Sequence, residues 1–179
     1  VDFGNKADER GRIKMQNPEQ IYENLLANFG EASLMSADFS VLQTTFVVKT
    51  EMLVPICEHL QSLYFDHLAC ITAIDFPKEN KMEVVYNLTA LTQEISIALK
   101  IQLVRIDEQG KLPTVPSLTR LWGGANWLER EVYDMFGIVF SAHPDLRRIL
   151  MPADWEGYPL QKDYVVQEKY HGITVNLIN

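Results

Sequence analysis

The sequence predicts an α+β fold: two helices packed on a mostly antiparallel sheet, followed by a short capped helix and a long extended C-terminal arm. Three observations carry this. Two early segments repeat apolar residues at helical spacing. Three later segments are apolar runs or alternations joined by short turns. Beyond residue 137 neither period persists.

Val1–Gln16 is polar, mixed in charge and unlike a signal peptide, and reads as a loose tail. Asn17-Pro18 reads as a helix start: Asn as N-cap, and Pro at the first helical position, where a missing N–H costs nothing. Ile21, Leu25, Leu26 and Phe29 follow at helical spacing, and Gly30 supplies the stop. Ser40–Lys49 is rich in β-branched residues and reads as a strand. Thr50 is the expected cap of a second helix with an apolar stripe of Leu53, Ile56, Cys57, Leu60, Leu63 and Tyr64. Leu68–Asp75, almost wholly apolar, reads as a buried central strand. Pro77–Asn80 turns the chain into a strand over Lys81–Leu91, and Ile95–Ile106 alternates as Ile95, Ile97, Leu99, Ile101 and Leu103. This α+β domain is assigned to residues 17–116.

Residues 122–179 hold half of the aromatics and all three tryptophans. After Ile138, prolines at 144, 152 and 159 and glycines at 157 and 172 interrupt any long element. Disorder fits poorly with so many large rings. The expectation is a partner-binding arm over 138–179 that buries Phe140, Trp155, Tyr158 and Tyr164 against neighbouring chains.

Composition narrows the function. The chain of 179 residues, 47% hydrophobic and 22% charged, suits one domain with an appendage. A net charge of −8 argues against nucleic-acid binding. Most of the acidic excess lies in residues 17–116, with 13 acidic against 6 basic side chains. No apolar run approaches the roughly 20 residues of a membrane-spanning helix, so membrane contact is expected only through partners. Cys57 and Cys70 are isolated in apolar surroundings; they could pair, but two buried thiols in a reducing compartment is the better reading. Two separated cysteines do not hold an iron–sulfur cluster unaided, and there is no glycine-rich phosphate loop.

The densest chemistry lies in the short helix assigned to the region 117–137. Asn126 and Glu129 stand in a capping-box arrangement, and Gly137 offers a left-handed stop. On a helical wheel Leu128, Val132, Met135 and Phe136 share one face; Trp127, Arg130 and Asp134 lie opposite, with Glu131 at the border. One reading is an amphipathic helix with solvated charges. The other is a buried ion-pair network at a contact between subunits, built from Glu131, Asp134, Arg147 and Arg148, with arginines gripping carboxylates bidentately. A metal or acid–base site from Glu129, Glu131, Asp134, His143 and Asp145 is disfavoured. Glu129 and Glu131 point roughly 160° apart on a helix, and no second histidine stands at ligand spacing from His143.

The order Glu129-Arg130-Glu131, two residues, Asp134, two apolar residues ending in Phe136, then His143, Arg147-Arg148 and Ile149-Leu150 resembles the signature of one family. That family is the 30 kDa subunit, also called the C subunit, of the proton-translocating NADH:quinone oxidoreductase, respiratory complex I. Arg147–Pro152, the run Asp154-Trp155-Glu156-Gly157-Tyr158-Pro159-Leu160, and Lys162-Asp163-Tyr164 resemble the family's tail. Gln161 departs from it, where relatives commonly carry Arg. The resemblance implies a subunit of the peripheral arm with no redox centre of its own. It would scaffold the large quinone-site subunit and the terminal iron–sulfur subunit, in a complex using FMN, iron–sulfur clusters, NADH and quinone. The implied place is the cytoplasmic face of a bacterial inner membrane, or the matrix or stromal face in an organelle. Two alternatives stand beside it: a homologous subunit of a membrane-bound hydrogenase or formate hydrogenlyase, and a free-standing enzyme with an acidic site.

Overall fold

The computed structural model describes residues 17–40 and 43–175; the tail expected over 1–16 lies outside them. Helix α1 (Pro18–Phe29) begins and ends as its sequence indicates. The Asn17 side chain accepts from the Gln20 N–H at 2.9 Å, and Gly30 closes the helix at φ 75°. Ile21 and Leu25 are fully buried. A strand with no counterpart in the sequence pattern follows, β1 (Leu34–Asp38). Its residues show weak alternation and Met35 is exposed, so no apolar period marks it. The strand expected over Ser40–Lys49 is shorter, β2 (Thr45–Val48). The Thr50 side chain caps nothing: Thr50–Met52 form a 3-10 turn that leads into α2 (Leu53–Ser62). The expected stripe is nonetheless correct, with Leu53, Ile56, Cys57 and Leu60 fully buried.

Three long strands complete the sheet: β3 (His67–Phe76), β4 (Lys81–Ala90) and β5 (Ile95–Val104). The order is β1-β2-β5-β4-β3, antiparallel except for the β2–β5 pair. The register aligns Met82 with Leu103, Val84 with Ile101, Tyr86 with Leu99 and Leu88 with Ile97, so one face of the sheet is continuously apolar and buried. All five of these β4–β5 positions, from Met82–Leu103 to Ala90–Ile95, point inward because the side-chain period of a strand is two. The opposite face is polar, with Glu83 between Lys81 and Lys100 at 3.4 and 3.2 Å.

One expectation is corrected here. Leu68–Asp75 is not a central strand; β3 lies at the sheet edge. Leu68, Ile71 and Ala73 face the core, whereas Ala69 and Thr72 are exposed and Ile74 is 37% exposed. A run of apolar residues indicates burial on both faces only when both faces are covered.

Past β5, the short strand β6 (Thr114–Pro116) leads to α3 (Ala125–Phe136), and β7 (Val139–Ser141) returns to pair in parallel with β6. Val132, Met135, Phe136, Ile138 and Phe140 join the same core as the sheet and the first two helices. The remaining arm is irregular up to a two-residue hairpin, β8 (Lys169–Tyr170) with β9 (Ile173–Thr174). Cys57 is buried, Cys70 only half-buried, and both are free thiols. No helix among the described residues is long and apolar enough to cross a membrane.

Candidate functional site

Helix α3 is the hub on which the arm is built. It starts two residues earlier than its capping-box pattern suggests, with Gly124 at the N-cap and no side-chain cap bond. Gly137 does end it in the left-handed region, φ 77°, its N–H bonded to the Tyr133 carbonyl at 2.9 Å. A Cβ there would stand 2.6 Å from the Tyr158 ring, so glycine also permits that ring to lie against the backbone.

The two charges on the wheel's polar face are not solvated, and neither is Glu129. Glu129 and Asp134 are fully buried and Arg130 is 4% exposed. A buried carboxylate requires partners, and Asp134 has four. Its Oδ2 accepts from the backbone N–H groups of Ile149, Leu150 and Met151 at 2.9, 2.7 and 2.9 Å. Its Oδ1 accepts from Arg148 at 3.1 Å. Arg148 also donates to the Gly157 carbonyl at 2.9 Å and lies over the Tyr158 ring. One carboxylate thus gathers three successive amides and fixes the course of residues 148–157.

Arg130 reaches the other side of the same turn. It donates to the Arg147 carbonyl at 3.2 Å and stacks on Trp127, 4.8 Å from ring centroid to guanidinium carbon. Arg147 itself is 71% exposed in its side chain and, among the described residues, pairs only with exposed Asp145. Glu131 is exposed and in no ion pair among the described residues. The expected four-member network is therefore reduced to Asp134 with Arg148, and it closes within one chain.

Glu129 occupies a second buried site. Its Oε1 accepts the Leu118 N–H at 2.6 Å, while Oε2 has no hydrogen-bond partner among the described residues. Burial pushes its carboxyl up to about 7, against the opposing pull of hydrogen bonds from Ser117 and the Leu118 amide. The His143 side chain, also fully buried, holds Nε2 4.0 Å from Oε2. The histidine's own bonds define its tautomer. Nδ1 accepts the Asp145 N–H at 3.0 Å, so Nε2 carries the hydrogen and donates to the Asn126 carbonyl at 3.1 Å. That imidazole is neutral, and the His143–Glu129 proximity is not an ion pair.

A third anchor went unseen in the sequence. Asp75, buried at the end of β3, accepts from Arg105 Nε and from the Lys162 N–H, both at 2.8 Å. Arg105 also grips the carboxylate of Asp163 and the Gln161 side-chain oxygen. Its guanidinium, donating that bond, holds the Asp163 carboxyl below the usual carboxylate range. Gln161 donates onward to the Phe136 carbonyl at 2.7 Å, so the residue that departs from the family pattern has a structural job here. A signal for Arg105 was present: it continues the inward phase Ile101, Leu103, so its side chain had to be paired inside.

The arm expectation is corrected at Phe140, which does not wait for a neighbouring chain. Phe140 is buried in the chain's own core, and residues 148–163 are bonded to α3, β3 and Arg105. Trp155 and Tyr164 bond each other at 2.9 Å, Tyr158 lies 6.5 Å from Tyr133, and Tyr170 packs 5.2 Å from Trp155. Apolar side chains left outward are Trp127, Leu150, Leu160, Val165 and Ile173, each more than half exposed.

The family described as the 30 kDa subunit of respiratory-chain NADH dehydrogenase matches residues 46–170. The C subunit of NADH-quinone oxidoreductase from Chlorobium phaeobacteroides is 50% identical over 116 residues, covering 63% of this chain and 66% of the relative. The protein of the same name from Chloroherpeton thalassium is 40% identical over 162 residues, 88% of this chain and 65% of the relative. The chain thus spans just under two thirds of those two relatives. The corresponding protein of Roseiflexus sp. is 42% identical over 160 residues, covering 87% and 88%. Among solved structures, the trypsin-resistant fragment (1-134) of Nqo5 superposes with a TM-score of 0.58 at 29% identity, over 72% of this chain and 98% of the fragment. A chain of the membrane-bound sulfane sulfur reductase, an archaeal respiratory membrane complex, gives 0.69 at 23% identity over 82% and 85%, which is a likeness of fold. The match extends from β2 to β8 and takes in the buried α3 anchors, so the chain belongs to the family of the 30 kDa subunit of respiratory-chain NADH dehydrogenase.

Proposed function

We propose that this chain is a non-redox subunit of an NADH:quinone oxidoreductase, in which it scaffolds the large quinone-site subunit and the terminal iron–sulfur subunit. The complex would carry the FMN and iron–sulfur clusters and pass electrons from NADH to quinone, coupled to proton translocation. In this reading the chain is peripheral, on the cytoplasmic face of a bacterial inner membrane or its organellar equivalent, and touches the membrane only through partners.

The carrying observation is the Asp134 anchor. The signature carboxylate is spent on three backbone amides and an arginine, with no route to a substrate. It holds the arm in one course while leaving Leu150 and Leu160 60% and 51% exposed. Rigidly held apolar residues on irregular backbone suit docking, because little ordering entropy remains to be lost on binding.

Purification of the tagged chain from native membranes tests this. Co-purification of flavin, iron–sulfur subunits and NADH:quinone activity is expected. Leu150→Ser should leave the isolated chain within about 0.5 kcal/mol of its stability and lower the yield of assembled complex. A monodisperse, catalytically active monomer would refute the reading in favour of a free-standing enzyme. Hydrogenase partners would instead place it in the other type of membrane complex.

A further inference from the structure

The Glu129 site contains an acid that the anchoring role does not use. Its side chain is fully buried and, among the described residues, one oxygen lacks a hydrogen-bond partner and no lysine or arginine pairs with it. The groups facing it come from several elements: Ser117 and Leu118 from the loop after β6, His143 from the arm, Tyr86 from β4, and Cys57 of α2 beside that tyrosine. None supplies positive charge. Burial pushes both the Tyr86 phenol and the Cys57 thiol up, which keeps them neutral, and His143 is locked as the Nε2–H tautomer by its two backbone contacts. A carboxylate in such surroundings is strongly disfavoured against the carboxylic acid.

We propose that Glu129 is held as a neutral carboxylic acid in the folded chain, and that its ionisation is a switch that loosens the turn His143–Asp145, where the arm leaves the core. The chemistry of the contacts fixes the direction. Oε1 keeps the Leu118 N–H in either state, and more firmly when charged. Oε2, once ionised, has the hydrogen on His143 Nε2 4.0 Å away, while the Ser117 and Tyr86 hydroxyls are the other polar hydrogens facing this carboxyl. Drawing the His143 hydrogen in takes it away from the Asn126 carbonyl and swings the ring from the Asp145 amide. Leu118 should thus stay protected while Asp145 opens. The elevated carboxyl, about 7, places the transition near neutrality.

Carbon-13 NMR of the full chain, with the side-chain carboxyl of Glu129 assigned through its own backbone, tests the proposal. One midpoint near neutrality is expected, absent in Glu129→Gln. Amide exchange, corrected for its intrinsic base-catalysed rate, should rise for Asp145 by on the order of tenfold across that midpoint, the equivalent of one 1.4 kcal/mol step, and stay flat for Leu118. Titration of Glu129 below pH 5 would overturn the proposal, as would a neutral midpoint with unchanged Asp145 exchange. Both readouts exist in the unsubstituted chain, so the test survives a variant that fails to fold.

Discussion

The sheet and the arm are held by opposite means. Between residues 17 and 104 the chain buries a periodic apolar surface: Ile21 and Leu25 of α1, Leu53 to Leu60 of α2, and the inward rows of β4 and β5. From 138 onward, after Ile138 and Phe140, such periodicity ends and hydrogen bonds to buried charges take over: Asp134, and Asp75 with Arg105. The difference is one of tolerance. Apolar packing is spread over many contacts, whereas an anchoring carboxylate concentrates several backbone amides on one atom, and its loss strands them all.

The largest effect should come from breaking that concentration. Asp134→Ala would leave three amides and Arg148 without their buried acceptor, costing about 3–5 kcal/mol. Denaturant unfolding should show it, with hydrogen exchange rising first at residues 149–151 and the sheet amides retained longest. Uniform loss across sheet and arm would show that the two regions are one cooperative unit.

Leu99→Ala tests the other side. It removes a fully buried side chain from the centre of the sheet and should cost about 2–5 kcal/mol, lowering protection throughout the sheet and arm alike.

Glu129 gives a pH-dependent prediction whose sign can be worked out. Its folded-state value is raised from 4.5 to about 7, so between those values the folded chain binds more protons than the unfolded one. Stability therefore falls as pH rises from 4.5 to about 7, then levels. At about 1.4 kcal/mol per unit the loss is roughly 3 kcal/mol. Glu129→Gln should flatten the pH profile and be the more stable form at pH 8. A profile of the same slope in that variant would point to another group.

The smallest effect should be Asn17→Ala, which removes the cap of α1 and costs about 1 kcal/mol. Thermal unfolding should register it without change in arm protection.

These contrasts explain what was legible. The α1 cap, the α2 stripe and the β4–β5 hairpin were plain, because each is a local pattern whose physical cause lies within a few residues. The family was legible from Glu129 to Leu150, and the match over 46–170 bears it out. Edge placement of β3, the existence of β1 and the parallel β6–β7 pair were not, since partners far along the chain decide them.

What the sequence alone determined was thus the α+β class, the core residues and the membership of α3 in a family pattern. Only the tertiary structure decided what the charged residues do. Helical periodicity placed Arg130 and Asp134 opposite the apolar face, and that placement was right; the arm, folding back, turned that outer face into an interior. Whether a face meets water depends on segments distant in sequence, and a local period carries no information about them. The same reason hid Asp75 and Arg105, whose partners lie at 161–163. A charge is read as solvated until the fold shows what lies over it.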